Sequence, residues 1–430
     1  MPYQRIQLNN QQLSVWLEED NGIVFSNQTK SLLKLSPLSI ALLFAFDEGL
    51  TFELAIKQVQ DVSGLPSDQI SAAAKQIKLL FTEQSDQQQK TYADGKYPEL
   101  KPHNKQKNPQ TGFVVQVTNS LFCITSDCDF LHNELTKLLQ PIILSSQEVS
   151  SNDTSSDTSS KNKGANSPNL ANPEIDFVLH IMVFDEGYAL ISNGLTVEEG
   201  LTQLQLVPIL IDRLQILAYQ QSDYCFGFHG AALVNNQPTQ ERNEHNPKLA
   251  TTILLPGVSG AGKSTLASEL STKGYALYSD EIIAFDDNFK LLPLALPMAI
   301  KQGSWAHIAM LYPQLTEQTE WHRVDGRILK YIWPQQIAKI TKAEQVQTDT
   351  KTLMLCPRFD AMANGSSEPL SVMATLELIT HGGYQLGIEL TADKAEQLIR
   401  FCEHIHTEKL VYANSEQSHS LIDKIINSHE

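Results

Sequence analysis

Gly257, Gly262, Lys263 and Ser264 stand at G-x-x-x-x-G-K-S/T spacing inside LLPGVSGAGKSTLASEL, residues 254–270. Each position has a chemical reason. Gly257, Gly260 and Gly262 let a tight turn aim successive N–H groups at an anion, which also meets the positive end of the following helix. Ser259, Ala261 and Thr265 complete the loop and the first helical turn. Lys263 is placed to reach β- and γ-phosphates, and the Ser264 hydroxyl to ligate Mg²⁺. Apolar residues 252–255 before the motif and a helical pattern after it supply the strand–loop–helix context it requires. ATP with Mg²⁺ is the expected cofactor pair.

Directly after that helix, residues 275–283 read as one strand whose end presents Asp280 and Glu281. Two carboxylates beside bound phosphates suit phosphoryl transfer: one accepts the proton of an acceptor hydroxyl, the other helps hold Mg²⁺. An isolated Asp-Glu is ordinarily a solvated strand end, and only the neighbouring loop favours a site. The acidic strand comes too early for transporter-type ATPases, and the chain has neither an L-S-G-G-Q nor an N-K-x-D signature.

The elements that must position these groups are legible in part. Residues 13–25 read as two strands around Asp20-Asn21-Gly22, followed by helices over 37–46, 51–62 and 67–83, the first capped by Ser36. In the last, Ile70, Ala73, Ala74, Ile77, Leu80 and Phe81 form one apolar face. Residues 85–111, rich in Gln, Lys, Asn and Pro, read as a linker. Paired strands over 112–126, a helix over 130–139 and strands over 177–184 and 188–194 come next. Residues 145–172 are nearly all Ser, Asn, Asp and Thr and read as a disordered loop, with the strands on either side of it as partners. A helix over 206–219, a strand entry at His229-Gly230 and a polar insertion from residue 235 to 247 lead into the glycine loop.

Composition bounds the function classes. With 430 residues the chain has room for two or three units, and 41% hydrophobic against 19% charged residues places it among globular proteins. A net charge of −17 argues against nucleic-acid or anionic-membrane partners. Five cysteines without a paired framework, no cationic-apolar start and no long apolar run point to a reducing cytoplasm.

Two resemblances add to this. The hairpin, then LSPLSIALLFAFDEGLTFELAIKQV, then a closing helix resemble the PqqD-like module, with Ser36-Pro37 and Gly49-Leu50-Thr51 at its helix start and turn. That family is a small winged-helix-like domain that holds precursor or leader peptides, often as an added edge strand. The order His229-Gly230, residues 257–264, Lys273-Gly274-Tyr275-Ala276-Leu277, then Ser279-Asp280-Glu281 is similar to HPr serine kinase/phosphorylase and its related kinases over about residues 112–425. The resemblance implies Asp280 as acid/base, Glu281 as metal-associated carboxylate and His229 as a nearby site residue. Residues 293–305, 325–334 and 354–360 resemble further kinase segments, which makes Lys301 and Arg358 candidates for phosphate or acceptor contacts. The classical P-G-R-N-rich C-terminal signature is missing, which puts phosphorylase activity and the HPr carrier as substrate in doubt.

The expected architecture is therefore α/β: a PqqD-like module over residues 1–84, a linker over 85–111, and over 112–430 a P-loop kinase domain of the HPr kinase and PEP carboxykinase type. The expected activity is phosphorylation of a hydroxyl, Ser foremost, on a protein or peptide acceptor, a modified-peptide precursor among the candidates. A nucleotide-dependent peptide-binding or assembly protein and a small-molecule kinase are the alternatives. Kinases of this type are often homo-oligomers, and the sequence shows no interface.

Overall fold

The computed structural model describes residues 2–81, 112–144, 175–185, 187–222, 224–235, 251–258, 260–337, 351–381, 384–386 and 389–428. The expected linker, the Ser- and Asn-rich loop and most of the polar insertion lie outside the described residues. Among those described, ten α-helices accompany four sheets in a mixed α/β architecture.

The chain opens with β1 (Gln4–Ile6), β2 (Leu13–Glu18), β3 (Asn21–Ser26) and β4 (Ser31–Leu35), an antiparallel sheet in that order. Then come α1 (Pro37–Asp47), α2 (Phe52–Ser63) and α3 (Ser67–Lys78). Ser36 and Thr51 cap the first two helices through their hydroxyls, and Gly64 ends α2 in the left-handed conformation. Helix α3 stops at Lys78, short of the expected residue 83, because the tighter bonds Leu80 N–H to Ile77 and Phe81 N–H to Lys78 turn the chain. That turn sets Phe81 edge-on against Phe46, with ring centroids 6.1 Å apart.

A second sheet joins β5 (Phe113–Val117), β6 (Ser120–Ser126), β7 (Phe177–Phe184), β8 (Gly187–Ser192) and β9 (Leu195–Leu201) in sequence order. Strands β6 and β7 pair across residues 145–172, as expected. Helix α4 (Asp129–Leu139) follows β6, and α5 (Leu206–Gln221) leads out of this sheet toward the next. Leu131, Leu135, Leu206, Leu210, Leu214 and Leu217 of the two helices close its core.

The central sheet is built around β10 (Tyr224–Asn235), whose residues 230–235 pair with β11 (Thr251–Pro256). Helix α6 (Lys263–Thr272) follows β11, and β12 (Ala276–Ser279) and β13 (Ile282–Asp286) both return to β10, at residues 232–234 and 224–229 respectively. The expected single strand over 275–283 is thus two, broken at Asp280 and Glu281. The cause is Glu281, whose φ of +74° is a left-handed conformation that a strand cannot continue through. Next come β14 (Leu291–Leu292), β15 (Met298–Lys301), α7 (Trp305–Leu311), β16 (Trp321–His322) and β17 (Ile328–Ile332), of which β15, β17 and β16 form a small sheet. The chain ends with β18 (Lys351–Phe359), β19 (Ser366–Pro369), α8 (Val372–His381), β20 (Tyr384–Leu386), α9 (Ala392–His404), β21 (His406–Tyr412) and α10 (Ser415–Ser428). Strands β11, β18 and β21 run parallel. Helices α6, α7 and α10 cover one face of the central sheet, and α8 and α9 the other.

The first sheet has a core of its own, with Val15, Val24, Leu42, Leu43 and Ile70 on its helical side. Its opposite face is not solvated. Tyr3, Trp16, Ile23 and Phe25 join Phe226, Phe228, Met373, Leu376, Leu398 and Ile399 in one cluster. Ion pairs rim the contact: Arg5 with Asp393 and Glu396, Lys30 with Glu389 and Lys34 with Glu377. Exposed pairs of this kind contribute little, so the apolar face holds the contact. Trp16 is fully buried at its centre. Replacing it with Ala is expected to cost about 3–5 kcal/mol in urea unfolding. Limited proteolysis of that variant should release residues 1–81 faster than in the wild type.

Candidate functional site

The site assembles at the middle of β10. Opposite Gly230, β11 reaches Pro256 and turns into the glycine loop. A Cβ at Gly230 would lie 2.8 Å from the Leu255 carbonyl and 2.6 Å from Ile283 Cδ1, so only glycine lets the two strands approach here. Opposite the same point, β12 gives way to the Asp280-Glu281 break. The Glu281 carbonyl accepts from the Gly230 N–H at 3.1 Å and is bonded to His229 Nδ1 at 2.7 Å, which fixes Nδ1 as the protonated nitrogen. The Gly257 N–H donates to the His229 carbonyl at 3.4 Å. One dipeptide therefore ties the glycine loop to the carboxylates.

In the loop, Gly257, Gly260 and Gly262 all have positive φ, as the spacing predicts. Gly262 precedes α6 as its cap and brings no side chain, which leaves the first-turn amides uncapped and facing the loop. Lys263 is only 6% exposed, and its Nζ donates to the Val258 carbonyl at 2.9 Å, so the ammonium stands inside the loop. Burial pushes its pKa down, while Glu281 and Asp280 pull it back. Thr265 turns aside and donates to Ser304 Oγ at 3.1 Å. Ala261 lies beside Gly257, within 3.5 Å of where a Cβ there would stand. Ser259 lies outside the described residues.

Ser264 Oγ donates to the Asp280 carboxylate, 3.2 Å from Oδ1 and 3.3 Å from Oδ2. The resemblance assigns the metal to Ser264 with Glu281, but it is Asp280 that the fold brings to Ser264. Asp280 is 8% exposed, and burial, with the Glu281 charge second, raises its pKa to about 7. Glu281 points outward, with Oε2 at 3.5 Å from His229 Nδ1. Burial and then Lys263 lower the His229 pKa, so the imidazole is neutral near pH 7.

Further groups converge that the sequence reading did not name. Along one face of α5, at i, i+3 and i+7, stand Asp212, Gln215 and Tyr219. Gln215 donates to the Asp280 carbonyl at 3.1 Å and Tyr219 to the Ile282 carbonyl at 2.8 Å, which pins the broken strand from behind. Asp212 accepts from Arg323 at 2.7 Å, and its pKa is pushed up to about 6, chiefly by burial, with Arg323 opposing. Arg323 and Arg327 flank a turn closed by Arg323 N–H to the Arg327 carbonyl at 2.8 Å. Arg327 lies within electrostatic reach of Glu281, and Lys301 within reach of Glu281, Arg327 and Asp280. Lys301 pairs with Leu329 across β15 and β17, which sets it at the same end of that sheet as Arg327. The readable signal was Asp212, Gln215 and Tyr219 at i, i+3 and i+7 along a largely apolar helix.

Arg358 is exposed near the end of β18, on the face away from α6, and among the described residues it has no ion pair with the acid pair. The described residues contain no cluster of three or more His, Cys, Asp and Glu able to hold a metal alone. A hard cation here would rely on the Ser264 hydroxyl, the Asp280 carboxylate, phosphate oxygens and water, the usual set for Mg²⁺. The buried hydroxyl–carboxylate pair beside uncapped amides fits such a cation. No family model matches the chain, and no curated protein matches it in sequence.

The Asp280 shift fixes a sign. Folded protein keeps this proton up to about pH 7, whereas an unfolded Asp loses it at its ordinary value of 3.8, so stability from this group falls as pH rises between those values. Asp280→Asn removes the penalty. Its melting temperature relative to wild type should rise from about pH 4 to pH 7 and level off above that, and a flat difference across that window would refute the burial of this charge.

Proposed function

We propose that the chain is an ATP- and Mg²⁺-dependent kinase that phosphorylates a hydroxyl, Ser foremost, on a protein or peptide acceptor. The observation that carries this is the Ser264–Asp280 contact across the N-terminus of α6, with Lys263 buried inside the preceding loop. A phosphate loop and a carboxylate bonded to its own hydroxyl are the two halves of a metal–phosphate clamp. On this reading the β11–loop–α6 unit is a P-loop kinase of the HPr kinase and PEP carboxykinase type, and the first four strands and three helices are a PqqD-like, winged-helix-like peptide holder in a cytoplasmic protein.

Ser264 and Asp280 would hold Mg²⁺, which would supply charge neutralisation to the phosphates, and Lys263 would meet the phosphates from within the loop. Glu281, kept in place by its carbonyl bonds to His229 and Gly230, takes the proton of the acceptor hydroxyl. The acceptor oxygen bonds to the γ-phosphorus as the bond to the bridging oxygen breaks, and ADP leaves. Lys301 and Arg327 stabilise the charge carried by the transferred group. Relative to the resemblance, Asp280 and Glu281 exchange roles.

The seating of the first sheet supports a macromolecular acceptor. Trp16, Ile23 and Phe25 belong to the same apolar cluster as Phe226 and Phe228, on the strand that carries His229. A peptide held by that unit is thereby tied to the site through one strand.

The test is transfer of γ-labelled phosphate from ATP, with Mg²⁺, to proteins and peptides of a cell extract, followed by mapping of the labelled residue. Glu281→Gln should lower kcat by about 10²–10⁴-fold with ATP affinity unchanged. Asp280→Asn should instead raise the Mg²⁺ concentration needed for half-maximal rate. Nucleotide binding without any labelled acceptor would favour the assembly-protein alternative, and no nucleotide binding at all would overturn the proposal.

A further inference from the structure

Phe359 is the most exposed phenylalanine among the described residues, at 57%, and it stands beside the glycine loop. Its position follows from strand register. Strands β11 and β18 run in parallel from Thr251 opposite Lys351 to Leu254 opposite Met354. Strand β11 ends at Pro256, level with Cys356, and turns into the loop. Strand β18 continues to Phe359, supported on its other side by β21 through Phe359 opposite Tyr412. At about 3.3 Å per residue, Phe359 overhangs the loop by roughly 10 Å.

Alternation decides which side chain faces the loop. Leu353 and Leu355 pack with Leu266 and Leu270 of α6, so Phe359 falls on the α6 side and Arg358 on the other. A Cβ placed on Gly262 would come within 3.9 Å of Phe359 Cβ and 3.3 Å of the Tyr412 hydroxyl. Tyr412 meets the Phe359 ring edge-to-face at 6.3 Å, which orients the ring, and the remainder is open to solvent. Val258, within the loop, is also exposed, at 64%. Ligands of sheets with parallel strands gather at the carboxyl ends of those strands, which is where this ring stands.

We propose that Phe359 is the stacking platform for the base of a nucleotide whose phosphates occupy the loop at residues 257–264. The inference rests on the kinase reading of that loop and adds the base-side wall to it. A phenyl ring offers a π face and no hydrogen-bonding group, so it accepts adenine and guanine alike. Base selectivity at this position is therefore low.

The experiment compares ATP, GTP and inorganic tripolyphosphate, each with Mg²⁺, in equilibrium titrations of the full chain. Phe359→Ala should weaken ATP and GTP by about 5- to 100-fold and leave tripolyphosphate unchanged. Phe359→Tyr should restore both nucleotides. Because the ring is exposed, Phe359→Trp should fold and report binding by a fluorescence change with ATP that tripolyphosphate does not give. Equal ATP affinity in wild type and Phe359→Ala would overturn the platform, and so would equal loss of ATP and tripolyphosphate, which would mean a damaged loop. Unchanged ATP affinity with a raised KM for the acceptor would also overturn it, assigning the ring to the acceptor. If wild type binds tripolyphosphate but ATP no better, the platform fails and the loop stands; if it binds neither, the kinase reading fails with it.

Discussion

The backbone of His229 and Gly230 is the constraint on which the site depends. Its carbonyl and amide groups reach the glycine loop in one direction and Glu281 in the other, and the missing Cβ of Gly230 lets β10, β11 and β13 approach within backbone contact. Side chains alone could not hold this geometry, since each would need its own rotamer fixed by packing. Hydrogen bonds between backbone groups fix it without side-chain entropy. The left-handed Glu281 is the corresponding strain, of the order of 1–3 kcal/mol, and it is retained because four bonds to the carbonyls of residues 280–282, from Gly230, His229, Gln215 and Tyr219, over-determine it.

Charge is distributed around that point in two shells of opposite sign. Asp280, Glu281 and Asp212 face Lys263, Lys301, Arg323 and Arg327, and most of these groups are at least half-buried. Burial raises Asp280 and Asp212 and lowers Lys263 and Lys301, so these groups hold their ionic form less firmly than a surface network does. Such an arrangement lowers stability and leaves the groups ready to exchange partners.

How much of this could be read from the chain varies with how local the cause is. The glycine loop was legible because its chemistry lies within eight consecutive residues, and the early acid pair because it follows the same helix. The break at Glu281 was not, since a positive φ at a glutamate is imposed by β10, far away in sequence. Asp212 and Gln215 read as blemishes in an apolar helix until the fold set that helix behind the acid pair. Strands β1 and β4 escaped notice because three to five residues give too little periodicity. Nothing in LSVWLE marks both faces as buried, yet Trp16 and Val15 are covered by different partners. The winged-helix and kinase assignments rest on resemblance and on the geometry of the loop, whereas the layered α/β architecture is plain in the structure.

The two-faced burial of the first sheet also sets an order of events during synthesis. Tyr3 meets Glu403 and Arg5 meets Asp393, so partners of the first residues leave the ribosome 388 to 400 residues after them. Until α8 and α9 emerge, Trp16 and Phe25 have nothing to cover them. Contacts of such sequence separation slow folding and leave an apolar surface waiting, the situation that chaperones relieve. The first sheet and its three helices thus stay half-covered until α8 and α9 have been made, and reach their final form only then.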